Sequence, residues 1–351
     1  MNERIVNYSI VGAGGLLAVG VLVGVVNPAY LLSLLSLAGM YALLSLGLNV
    51  QWGYTGLINF SVAAFFGIGA YVPVLLSASG SPINQGIPPI AGLFLAVVVT
   101  VALALAIGVP TLSLREDYLA IASLGLAEVV RLVFRNQAEW TNGTAGIGGI
   151  PSFFEGVPFL QTFATSMPTV DAGIYRLGPS FWSNLLNFAL VAAFVAAAYL
   201  VLRRVHRSPW GRVLRTIRSD EDLAEALGKN TFLFRMQAFV LGSVVMMFAG
   251  VFYAFSQSFL TPGIFDPIFT FYAWIAVILG GSGSNRGALF GGGVLVAIVE
   301  GSRFIGLGAD FRLLAVGVLI IAIMRFRPEG LLPPRKELIW PSATSGGESS
   351  D

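Results

Sequence analysis

The 351-residue sequence has no cysteine, a single histidine and very little charge. Without cysteine, disulfides and thiolate chemistry are excluded. The lone His206 has no second ligand near it in sequence, so no metal site is expected. Charged residues make up 11% of the chain, against about a quarter in ordinary globular proteins. None at all occurs between Arg4 and Arg115. A soluble domain cannot solvate itself across such a run. At about 20 apolar residues per membrane crossing, the run has room for about four helices.

Breaks fall where those helices need them: Asn27-Pro28, QWGYTG at 51–56, and SASGSPINQGIPP at 77–89. Apolar runs and their punctuation predict spans near 9–26, 30–49, 57–77, 90–112, 117–135, 182–202, 236–257, 268–280, 288–300 and 312–325. The pieces 268–280 and 288–300 are short for a crossing, which makes the expectation about eight to ten spans. The first is read as retained rather than as a cleaved signal, because MNER is short and weakly basic and apolar sequence continues past it. The fold class is thus all-α, a polytopic helical bundle. Residues 1–334 form one transmembrane domain, and the small polar tail at 335–351 has nothing to bury.

Lysine and arginine near helix ends favour the cytoplasm. With the N-terminus inside, the cytoplasmic segments hold most of the basic residues, including the cluster from Arg203 to Arg235 and the group Arg325, Arg327, Arg335 and Lys336. The loop at 137–180 then faces outward, and an even number of spans keeps both termini in the cytoplasm. That loop contains the sequon Asn142-Gly143-Thr144 within the turn-rich TNGTAGIGGIP, a surface suited to meeting a soluble partner.

The loop at about 203–235 is the most charged part of the chain. Ser219 is positioned to cap a short helix whose N3 residue is Asp222, with Asp220 and Glu221 adding negative charge at the positive end of its dipole. The helix is expected to run to Leu227, with Gly228 in the left-handed position beyond it. A basic arm precedes it: Arg203, Arg204, Arg207, Arg212, Arg215 and Arg218. Membrane lipid headgroups account for such an arm, and nucleic acid is not needed to explain it. Leu223, Ala226 and Leu227, at i, i+3 and i+4, form an apolar stripe that wants a partner.

The stretch GRVLRTIRSDEDLAEALGKNTFLFRMQAFVLGS resembles the cytoplasmic coupling loop of ATP-binding-cassette permeases for branched-chain amino acids. In that family a Glu-Ala-x-Gly core docks on the ATPase, and the matching residues here are Glu225, Ala226, Leu227 and Gly228. GLNVQWGYTGLINFSVAAFFGIGAY, LREDYLAIASLGLAEVVRLVFRN, TNGTAGIGGIP and VILGGSGSNRGALFGGGVLVAIVEG resemble the same family in the same order, across roughly 46–334. The resemblance implies a multi-pass subunit of a prokaryotic plasma membrane. Its partners would be a homologous second permease, two ATPase subunits that use ATP and Mg, and an extracellular substrate-binding protein. This chain would bind no cofactor and have no ATPase site of its own.

Outside the loop, Glu128 and Arg131 stand three apart within a predicted span, a spacing that lets them pair. The expectation is a structural ion pair rather than a substrate contact. Asn49, Gln51, Tyr54, Thr55, Asn59 and Ser61 surround the break between the second and third spans. They are candidates either for a wet translocation pathway or for gluing helices together, at about 1 kcal/mol or less apiece. GGSGSNRG at 280–287 lacks the Gly-Lys-Ser/Thr ending of a nucleotide loop, and GALFGGG offers small residues for close helix packing. No nucleophile-base constellation indicates an enzyme. An ion-coupled transporter would show a carboxylate relay within the spans, where Glu128 is read as the only carboxylate. A urea or short-amide permease of the same architecture is the alternative.

Overall fold

The computed structural model describes residues 27–114, 116–154, 157–172, 175–304 and part of 314–332. The predicted span at 9–26, most of that at 312–325 and the tail at 335–351 lie outside the described residues.

Helix α1 (Pro28–Leu48) starts where Asn27 accepts a hydrogen bond from the Ala29 amide at 2.9 Å and Pro28 occupies the first turn. It does not stop at QWGYTG. The backbone widens into a π-helical turn over Asn49–Gly53, and the Thr55 hydroxyl donates to the Gln51 carbonyl. Gly56, at φ 78°, ends the turn. The break therefore lies at 56–61, and α2 (Val62–Ser77) begins five residues later than the predicted 57. Composition located the polar segment correctly, but side-chain bonding lets its first half remain helical.

The remaining described helices of six or more residues are α3 (Pro89–Thr111), α4 (Glu116–Asn136), α5 (Pro158–Ser166), α6 (Pro179–Arg207), α7 (Pro209–Ser219), α8 (Glu221–Ala226), α9 (Thr231–Phe255), α10 (Pro267–Gly280) and α11 (Asn285–Phe304). Four of the described helical segments are long and apolar enough to cross a membrane: Pro28–Gly53, Pro89–Thr111, Pro179–Arg207 and Thr231–Phe255. Helices α2 and α10, with 16 and 14 residues, reach only about 24 and 21 Å, short of a hydrocarbon core about 30 Å thick. The predicted piece 288–300 belongs to α11, a full 20 residues. Its helix continues past Glu300, where the apolar run was taken to end. Glu300, like Asp117 at the start of the predicted span 117–135, is a further carboxylate inside a predicted span, so Glu128 is not the only one.

Among the described residues, strand content is confined to two small pairs. β1 (Ile147–Gly148) lies antiparallel to β4 (Phe259–Leu260), with Ile147 opposite Leu260. β2 (Val170–Ala172) and β3 (Tyr175–Leu177) form a hairpin closed by an exposed Asp171–Arg176 ion pair at 3.3 Å. These elements mark one end of the bundle, the hairpin end. Helix α7, with its arginines, and helix α8 mark the other, the basic end.

Helix α9 is the centre. Its most apolar window is 72% buried, against 17% for α6 at the periphery. It packs on α1, α2 and α3, and Phe239, Met246 and Met247 are fully buried along it. Without a hydrophobic force between helices in lipid, close backbone approach supplies the association. A Cβ added at Gly250 would land on the Phe66 carbonyl of α2, and one at Gly69 on the Met247 carbonyl of α9. Gly47 and Gly242 meet in the same way, each 2.6 Å from the other's carbonyl oxygen at the Cβ position.

Substituting Gly250→Val should force α2 from α9 at an overpacking cost of about 1–3 kcal/mol. The expected result is a clearly lower thermal unfolding midpoint for the detergent-solubilised subunit, and an unchanged midpoint would refute this account of the α2–α9 contact.

Candidate functional site

The charged loop folds as two helices. The basic arm is not irregular: Ser208 accepts from the Gly211 amide at 3.3 Å and starts α7, which buries Gly211, Leu214 and Ile217 on one face. Helix α8 follows after a corner at Asp220, whose backbone is extended at φ −161°. Asp220 is also the N-cap, accepting from the Leu223 amide at 2.9 Å. The expected cap, Ser219, is one residue out, because its hydroxyl donates back to the Thr216 carbonyl at 3.0 Å and closes α7. Asp222 therefore lies in the first turn of α8 rather than answering Ser219 in a capping box. Helix α8 ends at Ala226, with Leu227 as C-cap and Gly228 left-handed at φ 74°.

Leu223 and Leu227 are 50% and 65% exposed, and Ala226 is exposed beside them, while Ala224 is buried against the protein. The opposite side of α8 is pinned to α9. Glu221 pairs with Arg235 at 2.9 Å, and Glu225 accepts from the Thr231 hydroxyl at 2.8 Å. Both pairs are spaced four apart on both helices, so two rungs hold one face of α8 to the first turns of the central helix. Trp210 of α7 adds a third tie, donating from its indole nitrogen to Gln237 Oε1 at 2.7 Å.

All six residues around the break are buried, at 5% exposure or less. Gln51 donates to the Phe239 carbonyl at 2.8 Å and to Ser243 at 3.2 Å, both on α9. Its own oxygen accepts from Asn59 at 2.7 Å. The Asn59 side-chain oxygen takes both the amide and the hydroxyl of Ser61, and its carbonyl accepts from Trp274 of α10 at 3.0 Å. Asn49 accepts from the Gly283 amide at 2.7 Å and donates to Asn285 at 3.1 Å. Tyr54 donates to the same Asn285 oxygen at 2.5 Å.

This cluster reaches the basic end directly. Arg218, in the last turn of α7, donates to the Gly53 carbonyl in the π-turn and to Ser282 at 3.3 Å. Its stem lies 3.7 Å from the Cβ position of Gly56. Partial desolvation pushes its pKa below the usual arginine value, and the guanidinium remains charged. Arg215 donates to the His206 carbonyl at 2.8 Å, and the His206 ring lies 4.7 Å from that of Tyr54. The glycine-rich turn, the helix break, the end of α6 and α7 thus form one hydrogen-bonded unit.

Glu128 and Arg131 do pair, with Arg131 Nε 2.7 Å from Glu128 Oε2. The pair lies within α4 and does not join helix to helix. Its side chains keep 35% and 24% exposure.

At the hairpin end a cavity of about 680 Å³ lies among α1, α6, α9, α11 and the loop at 149–153. Glu300, 7% exposed, lines it. The sequence pointed to neither the cavity nor Glu300. The one available signal was a carboxylate at the end of an apolar run.

A family model described as "Branched-chain amino acid transport system / permease component" matches residues 30–324. The high-affinity branched-chain amino acid transport system permease protein LivM of Escherichia coli is 32% identical, over 90% of this chain and 73% of its own length. The probable LivM permease of Methanocaldococcus jannaschii is 29% identical, over 86% and 93%. The LivH permease of Escherichia coli is 26% identical, over 85% and 92%. No solved structure matches. With the match running through α1, the break, the paired helices α7 and α8 and the glycine-rich turn, the chain belongs to the family of branched-chain amino acid transport permeases.

Proposed function

We propose that this chain is one permease subunit of an ATP-driven importer for branched-chain amino acids, working with a related second permease, two ATPase subunits and an extracellular binding protein. The observation that carries the reading is the family match across 30–324, supported by relatives named for branched-chain amino acid transport. A urea or short-amide substrate has no such support. The direct test is ATP-dependent uptake of labelled leucine and of urea by vesicles holding the assembled complex. Leucine uptake that vanishes without the ATPases is expected, and urea uptake alone would keep the architecture and replace the substrate.

In this reading the basic end faces the cytoplasm, both termini lie inside, and α8 is the coupling helix. Ser219 and Asp222 frame its start, and Leu223, Ala226 and Leu227 form the face offered to an ATPase. Glu225 and Gly228 hold the helix's position. A push on that face passes through the Glu221–Arg235 and Glu225–Thr231 rungs into α9. It also passes through Arg218 into the break between α1 and α2. A switch of this kind needs rigid links to a bistable bundle, not a flexible loop. Asn49, Gln51, Tyr54, Thr55, Asn59 and Ser61 serve in this state as the joint through which the two halves move together. Their bonds face protein partners, and a route opening beside them requires that those bonds exchange.

Glu225→Lys breaks a rung and reverses its charge, and Gly228→Val places a β-branched residue at positive φ, costing about 1–2 kcal/mol. No heavy atom lies within 4 Å of a Cβ at 228, so that cost is purely local. Each variant should reach the membrane in normal amount yet lose at least about tenfold in uptake, equivalent to about 1.4 kcal/mol of coupling, while ATP hydrolysis persists. Full uptake in both would remove α8 from the coupling role.

Glu128→Gln leaves Arg131 without its carboxylate in a span, where an unpaired charge is costly. The expected outcome is a reduced yield of assembled complex with unchanged preference among leucine, isoleucine and valine. Normal assembly with altered preference would make the pair a substrate contact.

A further inference from the structure

We propose that the exposed face of α4 is the seam at which this chain meets the second permease, lying against the counterpart of α4 in that related subunit. This deepens the transport reading above and rests on it. Helix α4 runs from the break, where the Ser123 hydroxyl accepts from the Phe60 amide at 2.9 Å, to the hairpin end, where the Phe134 ring lies 4.7 Å from that of Phe265. Its 21 residues reach about 31 Å, the thickness of a hydrocarbon core. One face is spent on the bundle, with Leu119, Ser123, Ala127 and Phe134 buried.

The opposite face has the spacing of a helix–helix contact. Tyr118, Ile121, Gly125, Glu128, Leu132 and Arg135 recur at steps of three and four residues, the narrow stripe by which one helix meets another. Tyr118 and Ile121 are 64% and 70% exposed, and Leu132 and Arg135 are exposed further along. A mid-helix glycine weakens a helix, yet nothing lies within 4 Å of a Cβ built on Gly125. No contact within the described chain requires that glycine, whereas a second backbone coming close would.

Lipid does not suit this face. The Glu128–Arg131 pair remains partly exposed on it, Arg135 follows one turn later, and ionised groups facing hydrocarbon are costly. Helix α4 is accordingly not among the four described segments apolar enough to cross a membrane, although it is as long as α1. Its neighbour α3 is one of the four, and the exposed Phe94, Val98, Leu105 and Val109 there carry no charge. Polar groups on a seam fix the register of a helix pair. The face also lies along the flank of the bundle rather than at either end, out of reach of an ATPase or a soluble binding protein. The family match spans α4, so a second family member brings a counterpart of it. Two permeases named for one system in Escherichia coli, LivM and LivH, are both similar to this chain. An approximate two-fold between related chains sets like surface against like.

The test begins with co-purification of the unmodified chain and a tagged second permease from the same source. In membranes holding that pair, Ile121→p-benzoylphenylalanine on the seam and Val98→p-benzoylphenylalanine on α3 are irradiated, and adducts are identified by mass. Position 121 should give an adduct with the second permease, and position 98 should not. Separately, Gly125→Leu should lower recovery of the pair about tenfold, the effect of overpacking a close contact. The thermal midpoint of the detergent-solubilised subunit alone should not fall.

No adduct from position 121, equal adducts from both positions, a product of two copies of this chain, or a link within one chain to residues 1–26 would each overturn the proposal. Unchanged recovery of the Gly125→Leu pair would do the same. The recovery measurement leaves Ile121 in place, so it decides the matter even if the photoreactive variant fails to insert. The unmodified pair tells the two failures apart. If it co-purifies and α4 gives no adduct, only this surface is lost. If it does not co-purify, the paired-permease reading fails first and takes the surface with it.

Discussion

A backbone that leaves the helix inside a membrane must find partners for its amides and carbonyls within the protein, since lipid offers none. The segment from Asn49 to Ser61 is where this chain meets that constraint, and the packing of its centre follows from the solution. A net hydrogen bond contributes about 1 kcal/mol, but a polar group left buried and unpaired costs about 1–3 kcal/mol. The arrangement is therefore held less by the strength of any bond than by the penalty for breaking one. Gln51 spends its amide on α9 and its oxygen on Asn59, and Asn59 in turn receives Ser61 and Trp274. The Gln51 side chain thus ties the break to α9, and the Asn59 backbone carbonyl ties it to α10.

The same logic explains why the basic end is rigid. Arg218 stabilises its charge with a carbonyl and a hydroxyl rather than with a carboxylate, so the corner of α7 sits against the very turn whose backbone needed a donor. Helix α8 has only six residues, too few to hold itself in water. It exists because Asp220 caps it and two rungs tie it to α9. Anything that binds Leu223 and Leu227 therefore acts on α9, the helix at the centre of the bundle, through these two rungs.

Much of this architecture is readable from the residues. The charge-free run, the glycine-rich turn and a short helix with exposed leucines after the basic arm appear where apolar periodicity and charge place them. What escaped reading did so for specific physical reasons. Arginines at 212, 215 and 218 recur every third residue, with Leu214 and Ile217 between them, a helical pattern hidden by the habit of treating dense charge as loop. Ser219 has the chemistry of a cap, but a hydroxyl can serve the helix behind it as readily as the one ahead. Asp220 wins because its carboxylate can only accept. The break moved because local composition cannot reveal that Gln51 and Thr55 would bond so as to prolong the helix.

Glu300 is the most instructive omission, because small residues rather than charge account for its location. A Cβ at Gly291 would meet the Ala276 carbonyl of α10, and one at Gly292 the Ala42 amide of α1, at 2.6 Å. These glycines, foreseen as a packing stripe, let α11 lie against both neighbours at once. With α11 held that close to α1, a residue two turns further on is carried to the cavity bordered by α1's first turns. A bulkier stripe would hold α11 away and leave the carboxylate outside that space. The packing glycines and the buried acid are thus linked: the stripe sets the distance at which α11 lies from α1, and that distance brings Glu300 to the cavity wall.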